Sequence, residues 1–450
     1  MGELFGTDGI RGIAGEQPLD RNTIYRVGYS LARYLRKTDR RPHVLLARDT
    51  RRSGPWIEAL LRKAIADAGG TTESCGVLST PAVAFLTADR GAHAGIMISA
   101  SHNPYRDNGI KIFSSQGIKF SDAVENELEG EILAGAGTAP ADLTEDEAFE
   151  PGSGFCCGAE YRDLYLRHLR GCLPAGFSLA GLSLVADCAH GSLSVIAPEF
   201  LRSLGARVHA IHCEPDGRNI NHNAGALHLD RLRQEVMSRQ AGLGVAFDGD
   251  ADRAMFVDAG GRMRDGDDVL YLLARYCDWK DAPRLVVGTV MANLGLELAL
   301  QDLEIRLSRT SVGDRYVLEE MLRTGAIIGG EQSGHIIQLR HARTGDGLLT
   351  ALRVMEVLRR EGKEFGELCR PLKRFPQILV NVAVREKQPI EDIPGMREAE
   401  AECRRLLGPR SRILLRYSGT EKLARVMVEG ESETTVRETA HRLASLFAGI

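Results

Sequence analysis

Three aspartates alternate along the chain directly after a short apolar run. Asp248, Asp250 and Asp252 follow residues 243–247 (LGVAF), which we interpret as a buried strand. Carboxylates spaced this closely repel one another unless a cation lies among them, and all-oxygen ligation favours Mg²⁺ or Ca²⁺. A calcium-binding EF-hand loop is excluded, because its sixth position would be glycine and is Arg253. The alternative is a solvated acidic turn at a strand end.

A hydroxyl side chain follows another predicted strand, residues 95–99. Ser101 lies in the segment 99–104 (SASHNP), and ligands of α/β proteins bind outside the carboxyl ends of strands. Ser101 is therefore a candidate nucleophile or phosphate carrier. The hydrolase elbow G-x-S-x-G is absent, because neither flanking position carries glycine. The alternative is an ordinary loop with an Asn-Pro turn; His102 adds little, since neighbours in an extended chain point to opposite sides.

A glycine-rich segment later in the chain carries groups that suit sugar hydroxyls. Residues 329–335 (GGEQSGH) alternate Glu331, Ser333 and His335, so an extended loop would present all three on one side. Glycines allow the backbone to approach a ligand closely. The alternative is a glycine-rich hairpin with no binding role.

Two further segments suit a phosphate group. Residues 416–422 (RYSGTEK), with Arg425 beyond, supply hydroxyls, a glycine and guanidinium groups, which together favour phosphate binding. The candidate residues there are Arg416, Ser418, Gly419, Thr420 and Arg425. Near the start of the chain, residues 5–12 (FGTDGIRG) place three glycines around Arg11, another phosphate candidate. Simple turns remain the alternative for both segments, and residues 48–51 (RDTR) fit a capped helix start.

These candidate residues need buried strands and helices to position them. Short apolar runs alternate with longer segments of helical periodicity, which predicts an α/β architecture with several parallel or mixed sheets. The predicted strands include residues 43–47, 95–99, 184–186, 243–247 and 285–287, and the predicted helices include 23–34, 55–68 and 348–358. An aspartate ends or follows three of these strands, which hints at repeated α/β units.

Composition shifts divide the chain. Residues 134–152 are small, acidic and rich in glycine and proline, and residues 363–376 are basic with two prolines, so both predict domain junctions. A further boundary near residue 254 is less marked. We predict domains at residues 1–150, 151–254, 255–367 and 368–450, the last a small α+β domain with a helix at its end.

The overall composition narrows the class of protein. The chain has 450 residues, with 57 Lys and Arg against 61 Asp and Glu, a net charge of −4. This balance argues against nucleic-acid and membrane partners. Nine scattered cysteines contain no C-x-x-C pair, which predicts free thiols in a reducing compartment. No apolar segment resembling a signal peptide opens the chain, so we expect a cytoplasmic protein. The oligomeric state is open, a homodimer included.

The candidate residues comprise aspartates suited to a divalent cation, a serine, basic loops suited to phosphate and a loop suited to sugar hydroxyls. Together they predict phosphoryl transfer on a phosphosugar. The same segments, in this order, resemble the α-D-phosphohexomutase superfamily. The resemblance runs from residue 5 to residue 429 and rests on FGTDGIRG (5–12), ISASHNP (98–104), PDGRNIN (215–221) and GGEQSGH (329–335).

The resemblance implies a fold and a set of roles. The fold would be three related α/β domains with mixed sheets plus a smaller C-terminal α+β domain, arranged around a central cleft. Ser101 would be the phosphoserine, and Ser101, Asp248, Asp250 and Asp252 would hold one Mg²⁺. Arg253 would steady the phosphoserine, and Lys111, Arg11 and His335 would surround the transferring proton and phosphate. Glu331 and Ser333 would bind the sugar, and the loop of Arg416, Ser418, Gly419, Thr420 and Arg425 would hold the non-transferring phosphate.

The implied activity is an isomerase that interconverts glucosamine 6-phosphate and glucosamine 1-phosphate through a bisphosphorylated sugar, with a hexose bisphosphate as primer. Such an enzyme serves amino-sugar nucleotide and cell-wall precursor synthesis. Relatives acting on glucose or mannose phosphates, the alternative, usually have Met at the position of Gln332. A non-catalytic phosphosugar-binding protein is the third hypothesis. Tyr417 and Lys422 replace two prolines of the usual phosphate loop, which predicts a more mobile loop.

Overall fold

The computed structural model describes residues 4–6, 8–139, 158–418 and 422–448. These residues form four β-sheets with helices packed against them. The predicted fold class of three α/β domains and a smaller C-terminal α+β domain is confirmed.

The elements alternate along the chain as predicted. The strands are β1 (Ile10–Ile13), β2 (His43–Arg48), β3 (Thr71–Val77), β4 (Ala94–Ile98), β5 (Asp107–Ser114), β6 (Ser183–Asp187), β7 (Arg207–Ile211), β8 (Leu243–Phe247), β9 (Ala254–Asp258), β10 (Met263–Arg264), β11 (Leu285–Thr289), β12 (Arg306–Thr310), β13 (Ile328–Gly330), β14 (Ile336–Gln338), β15 (Gln377–Ala383), β16 (Arg412–Tyr417) and β17 (Leu423–Glu429). The helices are α1 (Arg21–Leu35), α2 (Gly54–Asp67), α3 (Thr80–Asp89), α4 (Asp122–Leu133), α5 (Ala159–Gly171), α6 (Ile196–Ser203), α7 (Asp230–Arg239), α8 (Gly266–Arg275), α9 (Leu294–Gln301), α10 (Asp314–Thr324), α11 (Gly347–Glu361), α12 (Phe365–Leu368), α13 (Met396–Leu407) and α14 (Glu433–Ser445).

The first two sheets share one topology. Their strand orders are β1-β5-β4-β2-β3 and β10-β9-β8-β6-β7. In each sheet three neighbouring strands run parallel, the fourth pairs antiparallel with them, and the fifth pairs antiparallel with the fourth. Asp49 after β2 and Asp187 at the end of β6 each accept a hydrogen bond, 2.9 Å long, from the backbone N–H two residues later. These matching features support the repeat that the strand-end aspartates suggested.

The remaining sheets are smaller. The third has the order β12-β11-β13-β14, with β11 and β13 parallel and β13 and β14 antiparallel. The fourth is the antiparallel sheet β15-β17-β16. Helix α14 buries Val436, Ala440 and Leu443 in the core of this last sheet, as the apolar spacing of the sequence predicts.

Local sequence signals explain where the main elements begin. Asp20 caps α1 by accepting from the N–H groups of Asn22 and Thr23, and Asp265 caps α8 in a reciprocal capping box with Asp268. Strands β4 and β8 are buried along their whole length, which suits the continuous apolar runs of strands covered on both faces.

The chain divides into two compact units. Met1–Val290 with Ser308–Cys369 form one unit, and Met291–Leu307 with Arg370–Ile450 form the other. The second unit therefore includes α9 with the fourth sheet, and the N–H of Leu294 donates to Glu429 at 2.8 Å. The second sheet continues through β9 to β10, past the boundary that we predict at residue 254. No described helix has the length and apolar character needed to cross a membrane.

The cap of α11 predicts a pH-dependent stability. Asp346 is buried. Its carboxylate accepts hydrogen bonds from the N–H of Leu349 at 2.9 Å and from the Tyr165 hydroxyl at 2.9 Å. Burial raises the pKa of Asp346 to about 6. Between the unfolded pKa near 3.9 and this value the folded state binds more protons, so its stability falls as pH rises. The cost at pH 7 approaches about 3 kcal/mol.

We therefore expect Asp346→Asn, which keeps an acceptor but cannot ionise, to gain stability relative to the wild type as pH rises from 4 to 7. Differential scanning calorimetry across that range measures the difference in Tm. Asp20→Asn, which alters the partly exposed cap of α1, serves as the control. A difference for Asp346→Asn that stays constant with pH would contradict the raised pKa.

Candidate active site

Ser101 follows strand β4 in a conformation that the sequence reading missed. Its φ of 52° is left-handed, so the chain turns here instead of continuing extended. The turn brings the His102 ring beside the serine, with Nδ1 3.2 Å from Ser101 Oγ. The expectation that these two side chains point apart was wrong, because it assumed an extended backbone.

A buried arginine holds this turn in place. Arg51 is 1 % exposed and forms a 2.9 Å ion pair with the fully buried Asp49. Its guanidinium donates to a ring of carbonyl oxygens, those of Ser101, Asn103, Pro104 and Asp107. Asp49 also accepts from Ser99 Oγ at 2.5 Å, and that hydroxyl receives the N–H of Ser101. The segment 48–51, which fits a helix start in the sequence, therefore positions the candidate nucleophile.

The three aspartates lie together at the end of strand β8. Asp248, Asp250 and Asp252 are all buried, and each offers an oxygen within 4.8 Å of the others. The Oδ1 atoms of Asp250 and Asp252 are buried without a hydrogen-bond partner. A buried carboxylate oxygen left unpaired is costly, and such oxygens are the ligands that Mg²⁺ prefers. The cluster thus fits a divalent cation, as the sequence predicts.

Ser101 belongs to the same cluster. Its hydroxyl donates to Asp248 Oδ2 at 2.6 Å. Gly249 permits the approach of the two loops, because a Cβ there would lie 2.7 Å from the carbonyl oxygen of Ser101. Burial, and then the neighbouring charges of Asp252 and Asp250, raise the pKa of Asp248 well above its usual range. A cation among the three carboxylates would instead lower the pKa of Asp248.

Lys111 balances part of the buried negative charge. From strand β5 its ammonium reaches Asp250 at 2.7 Å, Asp252 at 3.2 Å and Asp8 at 3.0 Å. Burial opposes the charged form of Lys111, but the three carboxylates raise its pKa well above the usual value. Lys111 is therefore a positive charge held among these carboxylates.

Arg253 and His102 complete the surroundings of the serine. The Arg253 guanidinium lies 3.1 Å from Nδ1 of His102, and since arginine only donates, Nδ1 is the acceptor. Burial, with Arg253 and Arg11 nearby, lowers the pKa of His102 to about 4. His102 is therefore neutral near pH 7, while Arg253 carries its charge next to Ser101.

Asp8 is a site residue that the sequence analysis did not single out. It pairs with Lys111, with Arg11 on β1, and with Lys119. Lys119 in turn pairs with Asp314 at 2.6 Å. Asp8 lies inside the FGTDGIRG segment, so a search for carboxylates as well as arginines among those glycines would have found it.

The predicted sugar loop connects β13 and β14. Glu331, Ser333 and His335 all lie in this hairpin. His335 is buried, and its Nε2 accepts from the N–H of Gly345 at 3.0 Å, which leaves the proton on Nδ1, 3.7 Å from Asp252. Burial opposes protonation of His335, but Asp252 and the other nearby carboxylates raise its pKa. The structure thus joins His335 to the aspartate cluster.

Gln332 turns toward helix α8. Its side-chain amide donates to Asp267 at 3.3 Å, and its backbone carbonyl oxygen accepts from the N–H of Gly266. Glu331 Oε1 accepts from the N–H of Gly313 at 3.1 Å. The residue that distinguishes the substrate hypotheses in the sequence therefore anchors the hairpin to α8.

The predicted phosphate loop lies in the second unit. Arg416 on β16 and Arg425 on β17 are register partners, and Arg425 approaches the buried Ser418 hydroxyl at 3.5 Å. Burial, and then the charge of Arg425, lowers the pKa of Arg416, so a dianion between the two would relieve their repulsion. Gly419 and Thr420 lie outside the described residues.

Tyr417 stands at the start of this loop, where the sequence analysis notes a missing proline. It is the last residue of β16, pairs with Ala424, and packs edge-on against Phe447 at 6.1 Å between ring centroids.

The comparisons with known proteins point to one family along almost the whole chain. Models of the phosphoglucomutase/phosphomannomutase family match in four parts: alpha/beta/alpha domain I at residues 2–137, domain II at 163–261, domain III at 265–375 and the C-terminal domain at 379–446. The chain belongs to this family. Its relatives include proteins named phosphoglucosamine mutase from Solibacter usitatus, 45 % identical over 99 % of this chain and 98 % of that protein, and from Moorella thermoacetica, 44 % identical over the whole of both.

Solved structures of the family share the fold. A phosphoglucomutase/phosphomannomutase family protein from Burkholderia thailandensis superposes with a TM-score of 0.78 at 22 % identity, covering 98 % of this chain and 97 % of its own. The N-acetylphosphoglucosamine mutase of Aspergillus fumigatus, solved with GlcNAc-6P and magnesium, gives 0.61 at 18 % identity over 99 % and 95 %.

The aspartate cluster predicts a measurable cation affinity. We expect Mg²⁺ to bind the wild type and raise its Tm, because the ion binds the folded state alone. Asp250→Asn should weaken Mg²⁺ binding by about tenfold or more, since a neutral amide replaces one charged ligand. Isothermal titration calorimetry measures the affinity.

Asp258→Asn is the matched control for this experiment. Asp258 is equally buried but pairs with Arg264 at the other end of β9. Its substitution should leave the Mg²⁺ affinity unchanged. Wild-type affinity in Asp250→Asn would contradict a cation site at these aspartates.

Proposed function

We propose that this chain is a phosphoglucosamine mutase that carries a phosphoryl group on Ser101 and interconverts glucosamine 6-phosphate and glucosamine 1-phosphate. The observation that carries the proposal is the 2.6 Å contact between Ser101 Oγ and Asp248 within a buried three-carboxylate cluster. Relatives over 40 % identical across the full chain bear that name. The activity makes the chain an isomerase, and its product would feed amino-sugar nucleotide and cell-wall precursor synthesis.

Asp248, Asp250 and Asp252, with an oxygen on Ser101, would hold one Mg²⁺. The unpaired oxygens of the cluster and its all-carboxylate chemistry fit that ion. When bound, the ion withdraws charge from a phosphoryl oxygen and so favours transfer. A hexose bisphosphate would first load Ser101.

Charge neutralisation is the main task of the residues around Ser101. Phosphoryl transfer depends on positioning and on fixed positive charge more than on covalent chemistry from the protein. Lys111, Arg253 and Arg11 supply that charge, and the raised pKa of Lys111 keeps it protonated. His335, with its proton on Nδ1, faces Asp252 and is the remaining residue suited to handle the hydroxyl proton.

Substrate contacts would come from two loops. Glu331 and Ser333 present a carboxylate and a hydroxyl that suit sugar groups, a carboxylate being the natural partner of an amino sugar's ammonium. Arg416, Ser418 and Arg425 suit the non-transferring phosphate, with Gly419 and Thr420 assigned by the sequence motif.

The experiment that tests this proposal compares kcat/KM for the phosphates of glucosamine, glucose and mannose, with Mg²⁺ and a hexose bisphosphate primer. We expect glucosamine phosphate to be preferred by tenfold or more, about 1.4 kcal/mol in transition-state binding. A preference for glucose or mannose phosphate would keep the mechanism and overturn the substrate, favouring a phosphoglucomutase or phosphomannomutase.

Ser101→Ala separates catalysis from binding. The variant removes the phosphate carrier, so turnover should vanish while affinity for the sugar phosphate remains. His102→Ala is the companion variant, since it removes the neighbouring ring but not the carrier and should retain measurable turnover. Equal behaviour of Ser101→Ala and the wild type in both assays would support a phosphosugar-binding protein instead.

Arg416 and Arg425 predict that removing either guanidinium lowers the affinity for the phosphate of the substrate. Arg425→Met should raise KM for the sugar phosphate by roughly tenfold or more, because a charge-assisted hydrogen bond to phosphate is lost. Arg410→Met is the control, since Arg410 is exposed and pairs only with Glu431 among the ion pairs described. Equal KM values for the two variants would refute the role of Arg425.

A further inference from the structure

The segment 215–221 (PDGRNIN) has no role in the phosphoryl transfer described so far. It lies in the same compact unit as Ser101 and the aspartate cluster. The carboxylate of Asp216 accepts from the N–H groups of Arg218 at 2.7 Å and Asn219 at 2.8 Å, an arrangement in which an aspartate fixes a turn in its own backbone. The segment therefore holds its own shape, and it ends at Asn221.

The side-chain amide of Asn221 binds two carbonyl oxygens of the serine turn. Its Nδ2 donates to the carbonyl oxygen of Ser101 at 2.8 Å and to that of Asn103 at 3.0 Å. Both partners only accept hydrogen bonds, so the amide must present its nitrogen and not its oxygen to them. The Arg51 guanidinium donates to the same two oxygens, at 3.0 Å and 2.9 Å. The serine turn is thus held from two directions.

The backbone of Asn221 is itself fixed. Its φ of 59° is left-handed, a conformation that asparagine adopts more readily than most residues. Its N–H donates to the carbonyl oxygen of Ala189 at 2.9 Å, in the loop after β6. Ile220 before it is 1 % exposed. The amide of Asn221 is therefore carried by a buried and hydrogen-bonded stretch of chain.

Asn221 also lies against the loop of the three aspartates. Gly249 stands between the first two of them, and a Cβ there would lie 3.0 Å from Asn221 Nδ2 and 2.7 Å from the carbonyl oxygen of Ser101. The same Cβ would lie 2.8 Å from the side chain of Ile220. Asn221 thus occupies the point where the serine turn and the aspartate loop meet.

The serine turn needs such support. Ser101 has a left-handed φ of 52°, and a residue other than glycine keeps that conformation only where its surroundings impose it. The 2.6 Å contact between Ser101 Oγ and Asp248 depends on this turn. A displacement of about 1 Å in reacting groups can cost on the order of a hundredfold in rate.

We propose that Asn221 is a positioning residue for phosphoryl transfer, which keeps Ser101 Oγ turned toward the aspartate cluster by holding the carbonyl oxygens of Ser101 and Asn103. It acts through the backbone of Ser101. The proposal rests on the proposed function and adds to it a residue from the segment 215–221.

The test compares two substitutions of Asn221 in the full chain. Asn221→Asp keeps the shape of the side chain but replaces its donor with an acceptor, which would face two carbonyl oxygens. We expect kcat to fall by roughly tenfold or more, with KM for glucosamine phosphate unchanged. Asn221→Gly retains the left-handed backbone and removes only the amide, so its kcat should fall by a smaller factor, again at constant KM.

Asn223→Asp is the matched control. Asn223 lies two residues later, has a left-handed φ of 49° and is exposed. Its substitution makes the same chemical change in the same part of the chain, and it should leave both kcat and KM at the wild-type values.

Hydrogen–deuterium exchange of the peptide that contains residues 98–104 reports on the serine turn without any turnover. We expect faster exchange there in Asn221→Asp than in the wild type or Asn223→Asp. Wild-type kcat in both Asn221 variants, an equal loss of kcat in Asn223→Asp, or a loss of kcat with unchanged exchange at residues 98–104 would overturn the proposal. If the wild type turns over no hexose phosphate, the proposed function fails, and the exchange measurement alone decides whether Asn221 holds the turn.

Discussion

The burial of three carboxylates beside a serine is the constraint on which the rest of the site depends. Asp248, Asp250 and Asp252 lie where water cannot screen their repulsion, so the fold must supply positive charge among them. Lys111 supplies part of it from a different sheet, and two buried carboxylate oxygens without a hydrogen-bond partner fit a cation that would supply more. Asp8 then holds Lys111, and Lys119 continues the network to Asp314. Each positive group is thus shared between carboxylates, which keeps the site rigid.

The repeated sheet topology explains how this cluster is assembled. Strands β4 and β8 occupy the same place in the first and second sheets, and each ends in a loop that carries candidate site residues. Two copies of one fold therefore bring two equivalent loops together, the serine from one and the aspartates from the other. Fixed strands suit a reaction that needs charges held in place, because rearrangement during transfer would add to the barrier.

Much of this arrangement follows from the sequence, and the exceptions share a cause. Continuous apolar runs identify β4 and β8, and the alternating aspartates identify the buried carboxylate cluster, because both signals are local. His102, Arg51 and Asp8 were not predicted, since their roles depend on contacts that sequence spacing does not show. His102 turns toward Ser101 only because the backbone is left-handed there. Arg51 acts through carbonyl oxygens far along the chain, and backbone acceptors have no sequence signature.

The electrostatics of the site separate charge stabilisation from proton transfer. Lys111 and Arg253 have pKa values raised by the surrounding carboxylates, so they keep their protons and act as fixed charge. His102 has its pKa lowered and its Nδ1 facing Arg253, so it does not take up a proton near pH 7. At His335, as at Lys111, burial opposes the charged form and nearby carboxylates favour it, and together these effects raise the pKa of the imidazole. A buried imidazole whose pKa is raised by carboxylates can carry a proton, which suits His335 to the general acid–base step of the proposed function.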